Sequence, residues 1–211
     1  MRDIPVFTTE NGVASFVLRE IPYKGVAYIT IQSTMQPEKL LKECIEFCRM
    51  AGAERIYATG HAMLEVYPLH TTVVKMQQLR QNLPQGEGAL FPVTEETAED
   101  WRNIYNEKMQ SVPNAAFMTR DDMKKRLAGA YFVHNEGRLL GIGIATGNQI
   151  AVIAAIEPGA GEAILLTLCN ALFSDTVEIE VANNNVPAMR LYERLGFQKV
   201  MELSRWYDVS E

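Results

Sequence analysis

Cysteine is scarce in this chain. Its 211 residues include three, Cys44, Cys48 and Cys169, too few and too unevenly spaced for a disulfide framework, so they read as reduced thiols. The histidines His61, His70 and His134 stand far apart, with no H-E-x-x-H or C-x-x-C run, so no metal-site signature is present. No apolar run approaches the ~18 residues of a membrane span, and MRDIPVFTTENG lacks the apolar core of a secretory signal. Positive charge is also short. Lys plus Arg total 20 against 26 Asp plus Glu, a net charge of −6, which argues against binding the nucleic-acid backbone and suits a cationic small substrate. These absences point to a cytoplasmic protein with no nucleic-acid and no membrane partner. What is present, 47% hydrophobic and 22% charged residues, is the composition of a folded globular protein of one large domain or two small ones.

Along the chain, Val13–Glu20 and Val26–Ser33 are rich in β-branched and aromatic residues and read as strands around a turn at Pro22–Gly25. Helical spacing of Leu40, Leu41, Cys44, Ile45 and Cys48 predicts a helix from Pro37 to Gly52, followed by a strand at Arg55–Thr59. Between Ala62 and Gln81 the pattern is ambiguous: EVYPLHTTVVKM fits one bent strand or two, and QQLRQN could extend a helix. Gln81–Pro92, with two Pro and two Gly, reads as a linker, which divides the chain into domains 1–87 and 88–211. Beyond it come a helix capped by Thr94, a helix from Thr119, three strands with turns at Asn135–Gly137 and Gly147–Asn148, and then helix, strand, helix, strand. Hairpin, helix and strand thus occur twice, at an offset of about 125 residues that relates Gly12 to Gly137 and Val26 to Ile150.

The most specific stretch is VEIEVANNNVPAMRLYERLGFQKV, Val177–Val200. Asparagines follow a strand, Pro187 stands in the first helical turn, and Gly196 ends the helix. Read on its own, Asn185 is a helix cap and Tyr192 a packed or cleft-facing tyrosine. The run N-x-x-A-x-x-L-Y-E-x-L-G-F, matched by Asn185, Ala188, Leu191, Tyr192, Glu193, Leu195, Gly196 and Phe197, resembles the C-terminal motif of the GNAT superfamily of acyl-CoA-dependent N-acetyltransferases. The element order from residue 90 to the C-terminus resembles theirs too. The resemblance implies an α/β fold: a GNAT-like mixed, mostly antiparallel sheet flanked by helices. The first 87 residues then form a degenerate half-GNAT-like segment, with TMQPEKLL where a phosphate loop belongs.

The same resemblance implies acetyl-CoA as acyl donor and an amine-bearing acceptor. Tyr192 takes the role of acid toward the departing thiolate. Ala154, Ala155 and Ile156 lie on the strand end that pairs with the pantetheine arm. The loop Gly159, Ala160, Gly161, Glu162 and Ala163 holds the pyrophosphate, and Asn185 and Ala188 complete the cofactor site. This loop departs from the family pattern. It is short, Glu157 and Pro158 stand where a basic or amide residue is usual, and no Arg or Lys occurs between Gln149 and Val186. Phosphate charge must then be met by backbone amides or by Arg190 or Arg194. For the general base, Glu157 is the first choice and Glu180 the second, with a water chain as the alternative.

Direct attack of a primary amine on the thioester is the activity these residues suggest. The rival is a non-catalytic acyl-CoA-binding or interaction module on the same scaffold, favoured by the base-poor loop. A homodimer is compatible with either reading. Cys169, in an apolar helix, reads as packing, and Trp101, Trp206 and Tyr207 as packing or as walls of an acceptor cleft.

Overall fold

The computed structural model describes residues 5–112 and 114–211; the start of the N-terminal stretch read above, residues 1–4, lies outside them. In chain order the elements are β1 (Val6–Thr9), β2 (Gly12–Val17), the single turn α1 (Ile21–Lys24), β3 (Val26–Thr34), α2 (Pro37–Met50), β4 (Arg55–Thr59) and β5 (Leu69–Leu79). They continue with β6 (Ala89–Pro92), α3 (Ala98–Met109), α4 (Arg120–Arg126), β7 (Ala130–Asn135), β8 (Arg138–Thr146), β9 (Gln149–Ala155), α5 (Gly161–Cys169), β10 (Thr176–Ala182), α6 (Val186–Arg194) and β11 (Gln198–Asp208). Among the described residues no helix is long and apolar enough to cross a membrane.

Two compact units divide the chain, 1–73 with 202–211, and 74–201. The chain leaves the first within β5 and returns to it within β11.

In the first unit β1, β2 and β3 are antiparallel neighbours, and α2 carries the chain across to β4, which lies parallel to β3. The last residues of β11 pair with β4, Tyr207 opposite Ala58. Leu40, Leu41, Cys44 and Cys48 of α2, four residues of one helical face, pack on Phe16, Ile29, Ile31 and Ile56 of the sheet. The expected turn at Pro22–Gly25 is α1, where Pro22 sits in the first turn and Gly25 closes it in the left-handed conformation.

In the second unit the strand order is β5-β10-β9-β8-β7-β6, with β6 to β9 antiparallel and β10 parallel to β9. Helices cover both faces. Residues of α5 and α6 pack with Val177, Ile179 and Val181 of β10 on one side. Trp101, Tyr105, Met118 and Met123 pack with Ile142, Ile144, Val152 and Ala154 on the other. Trp101 is fully buried and its Nε1 donates to the Tyr131 carbonyl at 3.0 Å, so it is a core residue. Trp206 and Tyr207 fall in the first unit.

The region Gln81–Pro92 differs from the linker expected of its composition. It lies inside the second unit, ends in β6, and is bonded to α5: Asn170 Nδ2 donates to Gly86 O at 2.9 Å, and Gly88 N to Thr167 Oγ1 at 3.2 Å. A Cβ on Gly86 would stand 2.4 Å from the backbone of Leu166 and Thr167, so glycine permits close contact here rather than mobility. Val74–Leu79 of β5 also belongs to this unit, and residues 202–211 do not, so the units fall elsewhere than at residue 87. The helix expected from Thr94 begins at Ala98, with Thr94 and Thr97 bonded to each other ahead of it.

Candidate active site

The second unit opens where β9 and β10 part. Their parallel register consists of two pairs, Gln149 with Glu178 and Ile150 with Ile179. At the next residue β9 carries a bulge: on β8, Ala145 pairs with Ile150 and Ile144 with Val152, so Ala151 is extra. A bulge bends and twists its strand, and beyond this one β9 stays paired to β8 while its other edge is free of β10. The bulge also switches the faces. Ile150, Ile153 and Ala155 pack with the α5 and α6 core, whereas Val152 and Ala154 pack toward α3 and α4. A strand edge bared in this way presents amide and carbonyl groups that an extended amide-bearing chain can pair with.

β9 leads directly into the glycine loop. Ile156 N and Glu157 N both donate to the Leu140 carbonyl, at 2.9 and 3.2 Å, which turns the chain off the strand. Gly159 has φ of +83°, with nothing within 4 Å of where its side chain would stand. α5 starts at Gly161, whose missing side chain leaves room for Leu191 of α6 at 3.4 Å. Ala160 and Ala163 supply carbonyls to Ile164 N and Thr167 Oγ1. Glu162, in the first turn, is paired with Arg194 of α6, Nη2 to Oε2 at 2.6 Å. Arg194, one of the two arginines the sequence offers for the base-poor loop, is thus brought to it.

Local rules place Tyr192. Asn185 caps α6, its Oδ1 accepting from Ala188 N at 3.4 Å, and Pro187 follows in the first turn. At the other end Gly196, at φ +81°, allows Gly196 N to bond Glu193 O and Phe197 N to bond Tyr192 O, the paired closure of a left-handed helix stop. Gln78 Nε2 caps the same end through Gly196 O at 2.8 Å. Phe197 is thereby folded back on the Tyr192 ring, centroids 5.9 Å apart. Tyr192 is 7% exposed, and its hydroxyl has no hydrogen-bond partner among the described residues. Burial pushes its pKa up to about 12, so the phenol keeps its proton across the ordinary pH range.

Ala155, Ala160, Ala188, Leu191 and Tyr192 share one packed cluster, while the Ala154 side chain lies on the opposite face of β9. Glu157 is exposed, with no side-chain partner among the described residues. Glu178 is held by Lys75 Nζ at 2.9 Å and by Gln77, whereas Glu180, on the same face, is exposed. Ala151, Gln78 and the Arg194–Glu162 pair are features of this site that the sequence motif does not single out.

An extended chain with amide groups can pair with a bared β9 edge, and an anion can meet the open loop at a helix N-terminus that has Arg194 beside it. This layout is the fold of the GCN5-related N-acetyltransferases, and comparison with known proteins agrees. No family model matches the chain. A mycothiol acetyltransferase of Clavibacter sepedonicus is 29% identical in an alignment of 137 residues that covers 56% of this chain and 45% of that protein. The chain spans about half the length of the curated relatives it matches. Among solved structures, a GCN5-related N-acetyltransferase from Sphaerobacter thermophilus aligns with a TM-score of 0.55 and 14% identity over 93% of this chain and 75% of its own. A tandem GNAT protein from the clavulanic acid biosynthesis pathway aligns with a TM-score of 0.50 and 14% identity, over 94% and 78%.

Proposed function

We propose that the protein is an N-acetyltransferase that moves an acetyl group from acetyl-CoA to a primary amine of a small molecule or peptide by direct attack. The observation that carries this reading is the parting of β9 from β10 after Ile150 and Ile179, in the unit whose core holds the partnerless hydroxyl of Tyr192. The β9 edge from Ala151 through Ala155, with Ile156, pairs with the pantetheine arm. Amides of Gly159 to Ala163 and the Arg194 guanidinium meet the pyrophosphate. Asn185 and Ala188 act through the start of α6, which they hold together. The amine nitrogen bonds to the thioester carbonyl carbon as the carbon–sulfur bond breaks. Tyr192 gives its proton to the departing sulfur, and Glu157 or water takes the proton from nitrogen. The acidic balance of the chain favours a cationic acceptor.

A second reading, an acyl-CoA-binding module without turnover, is favoured by the Glu162 carboxylate in the first turn of α5, where a phosphate would also lie. Calorimetry with acetyl-CoA, followed by turnover across an amine panel, separates the two. Binding with turnover supports the enzyme, binding with no turnover of any amine the module, and no binding neither.

The first unit repeats the hairpin, crossover helix and parallel strand of the second, and we assign it a supporting role, as a packing or dimerisation partner of cytoplasmic protein. Its β3 and β4 stay paired over five residues, Val26–Thr30 with Arg55–Thr59, against two pairs for β9 and β10.

A further inference from the structure

Val74, Met76 and Gln78 fall on one face of β5, two residues apart. The first two are core residues in the cluster that holds Tyr192 and Phe197. Gln78 stands past them at the C-terminal end of α6, where its Nε2 donates to two carbonyls, Gly196 O at 2.8 Å and Leu195 O at 3.3 Å. Its Oε1 accepts from Leu79 N at 2.8 Å and from Asn82 Nδ2 at 3.4 Å, which keeps the amide nitrogen turned toward α6.

Both sides of this contact are shaped for it. A Cβ on Gly196 would stand 2.5 Å from Gln78 Nε2, so glycine there makes room for the amide as well as adopting φ of +81°. Gln198 Nε2 also donates to Gly196 O, at 3.3 Å, but from two residues along the same chain segment. Gln78 instead ties the helix stop to a separate strand. Carbonyls at and just past a helix end have no partner within the helix, so donors from a neighbouring element fix where the helix stops. Tyr192 lies in that last turn, and its carbonyl accepts from Phe197 N in the same closure. Its hydroxyl has no partner among the described residues, so the ring takes its place from the helix stop and from Phe197 packed on it.

We propose that Gln78 is a positioning residue for acetyl transfer: by binding the stop of α6 to β5, it aims the Tyr192 hydroxyl at the departing sulfur. This role rests on the acetyltransferase reading above and adds to it the group that holds the acid in place. Gln78→Leu keeps the bulk of the side chain and removes the donor. In steady-state assays of the full chain with acetyl-CoA and a reactive amine, its kcat is expected to fall about tenfold or more, with KM for acetyl-CoA within about twofold, because the β9 edge and the glycine loop are untouched. Once the phenol is loosened it titrates nearer its ordinary value of about 10, so kcat of the variant declines toward that pH where wild type holds level. A merely structural role lowers the melting temperature and leaves both the KM-against-kcat split and the pH profile as they are. Spectrophotometric titration reads the same event without turnover. Between about pH 9 and 11, Gln78→Leu is expected to ionise one more tyrosine than wild type, and Gln78→Leu combined with Tyr192→Phe is not. A folded Gln78→Leu variant with unchanged kcat and pH profile, a change in KM alone, or no additional titrating phenol would overturn the proposal. Wild type that turns over no amine would overturn the acetyltransferase reading and the catalytic role with it, whereas an unchanged phenol titration would overturn the hold of Gln78 on Tyr192 itself.

Discussion

Arg194 reaches from the last turn of α6 to Glu162 in the first turn of α5, with Nη2 and Oε2 2.6 Å apart. The pair is exposed, at 63% and 41% of the side-chain surface, so it contributes under ~1 kcal/mol to folding. Under the proposed function its importance is to the ligand. Glu162 brings a negative charge to the helix end that would receive phosphate, and Arg194 neutralises it.

Opposite effects are therefore expected from the two sides of this pair. Arg194→Gln weakens acetyl-CoA binding roughly tenfold, as loss of a charge-assisted hydrogen bond does. Glu162→Gln strengthens it, by freeing Arg194 and removing a repulsion. Calorimetry of both variants checks the signs, and S-acetyl-pantetheine, which has no pyrophosphate, should bind wild type and both variants alike.

Replacing Tyr192 with Phe removes a hydroxyl that no described residue bonds, so the melting temperature should hardly move. The rate should fall about 10²- to 10⁴-fold if the hydroxyl is the acid. With the pKa of Tyr192 at about 12, the wild-type kcat should show no alkaline decline from loss of this proton up to pH 10. Steady-state rates with a reactive amine, measured across pH on both proteins, test both expectations.

Two phenols, Tyr192 in the core and the half-buried Tyr28, also set an alkaline limit on stability. Burial pushes each to about 12, and the charges of Glu20 and Tyr57 add to the effect at Tyr28. Folded protein thus holds these protons more tightly than unfolded chain, whose tyrosines titrate near 10. The stabilisation is complete below pH ~10 and is lost as pH rises through 12, at up to about 1.4 kcal/mol for each pH unit crossed by the buried Tyr192 and less for Tyr28, which water screens in part. Urea unfolding at pH 8, 10 and 11 should show the midpoint falling only over the upper part of this range.

Gly86→Ala and Gly88→Ala are each expected to cost about 1–3 kcal/mol, because the methyl added at Gly86 meets the backbone of Leu166 and Thr167 and the one added at Gly88 meets Thr167 and the His134 carbonyl. Exposed Glu87, between them, should accept Ala with no measurable loss. Denaturant unfolding of the three variants decides whether this stretch is packed structure or tether.

That stretch shows where sequence reading fails. Glycine that frees a chain and glycine that lets two backbones touch have the same composition, and only the partner, residues 166 and 167 far along the chain, tells them apart. Where the determinants are local, reading is direct: Pro187 and Asn185 start α6, Gly196 stops it, and Arg55–Thr59 is the strand its pattern predicts. The Ala62–Gln81 ambiguity resolves into a short helical turn and the long β5, whose neighbours lie elsewhere in the sequence. Nothing local marks the bulge at Ala151 either, since an alanine fits a strand and a bulge alike. Arg194 is one of two candidates in the sequence, and its place beside Glu162 rests on α5 and α6 packing at Gly161 and Leu191.

Both units carry a bulge just past the end of their parallel pairing, at different distances along the strand. In β3 the extra residue is Gln32, so five pairs to β4 form first and only Ser33 and Thr34 remain beyond it. In β9 it is Ala151, after two pairs, with Val152–Ala155 still to come. Sliding one insertion along a strand thus changes the length of backbone left over for a guest, with no change in the order of the elements. The same order of elements leaves four residues of β9 beyond its bulge and two of β3 beyond its own.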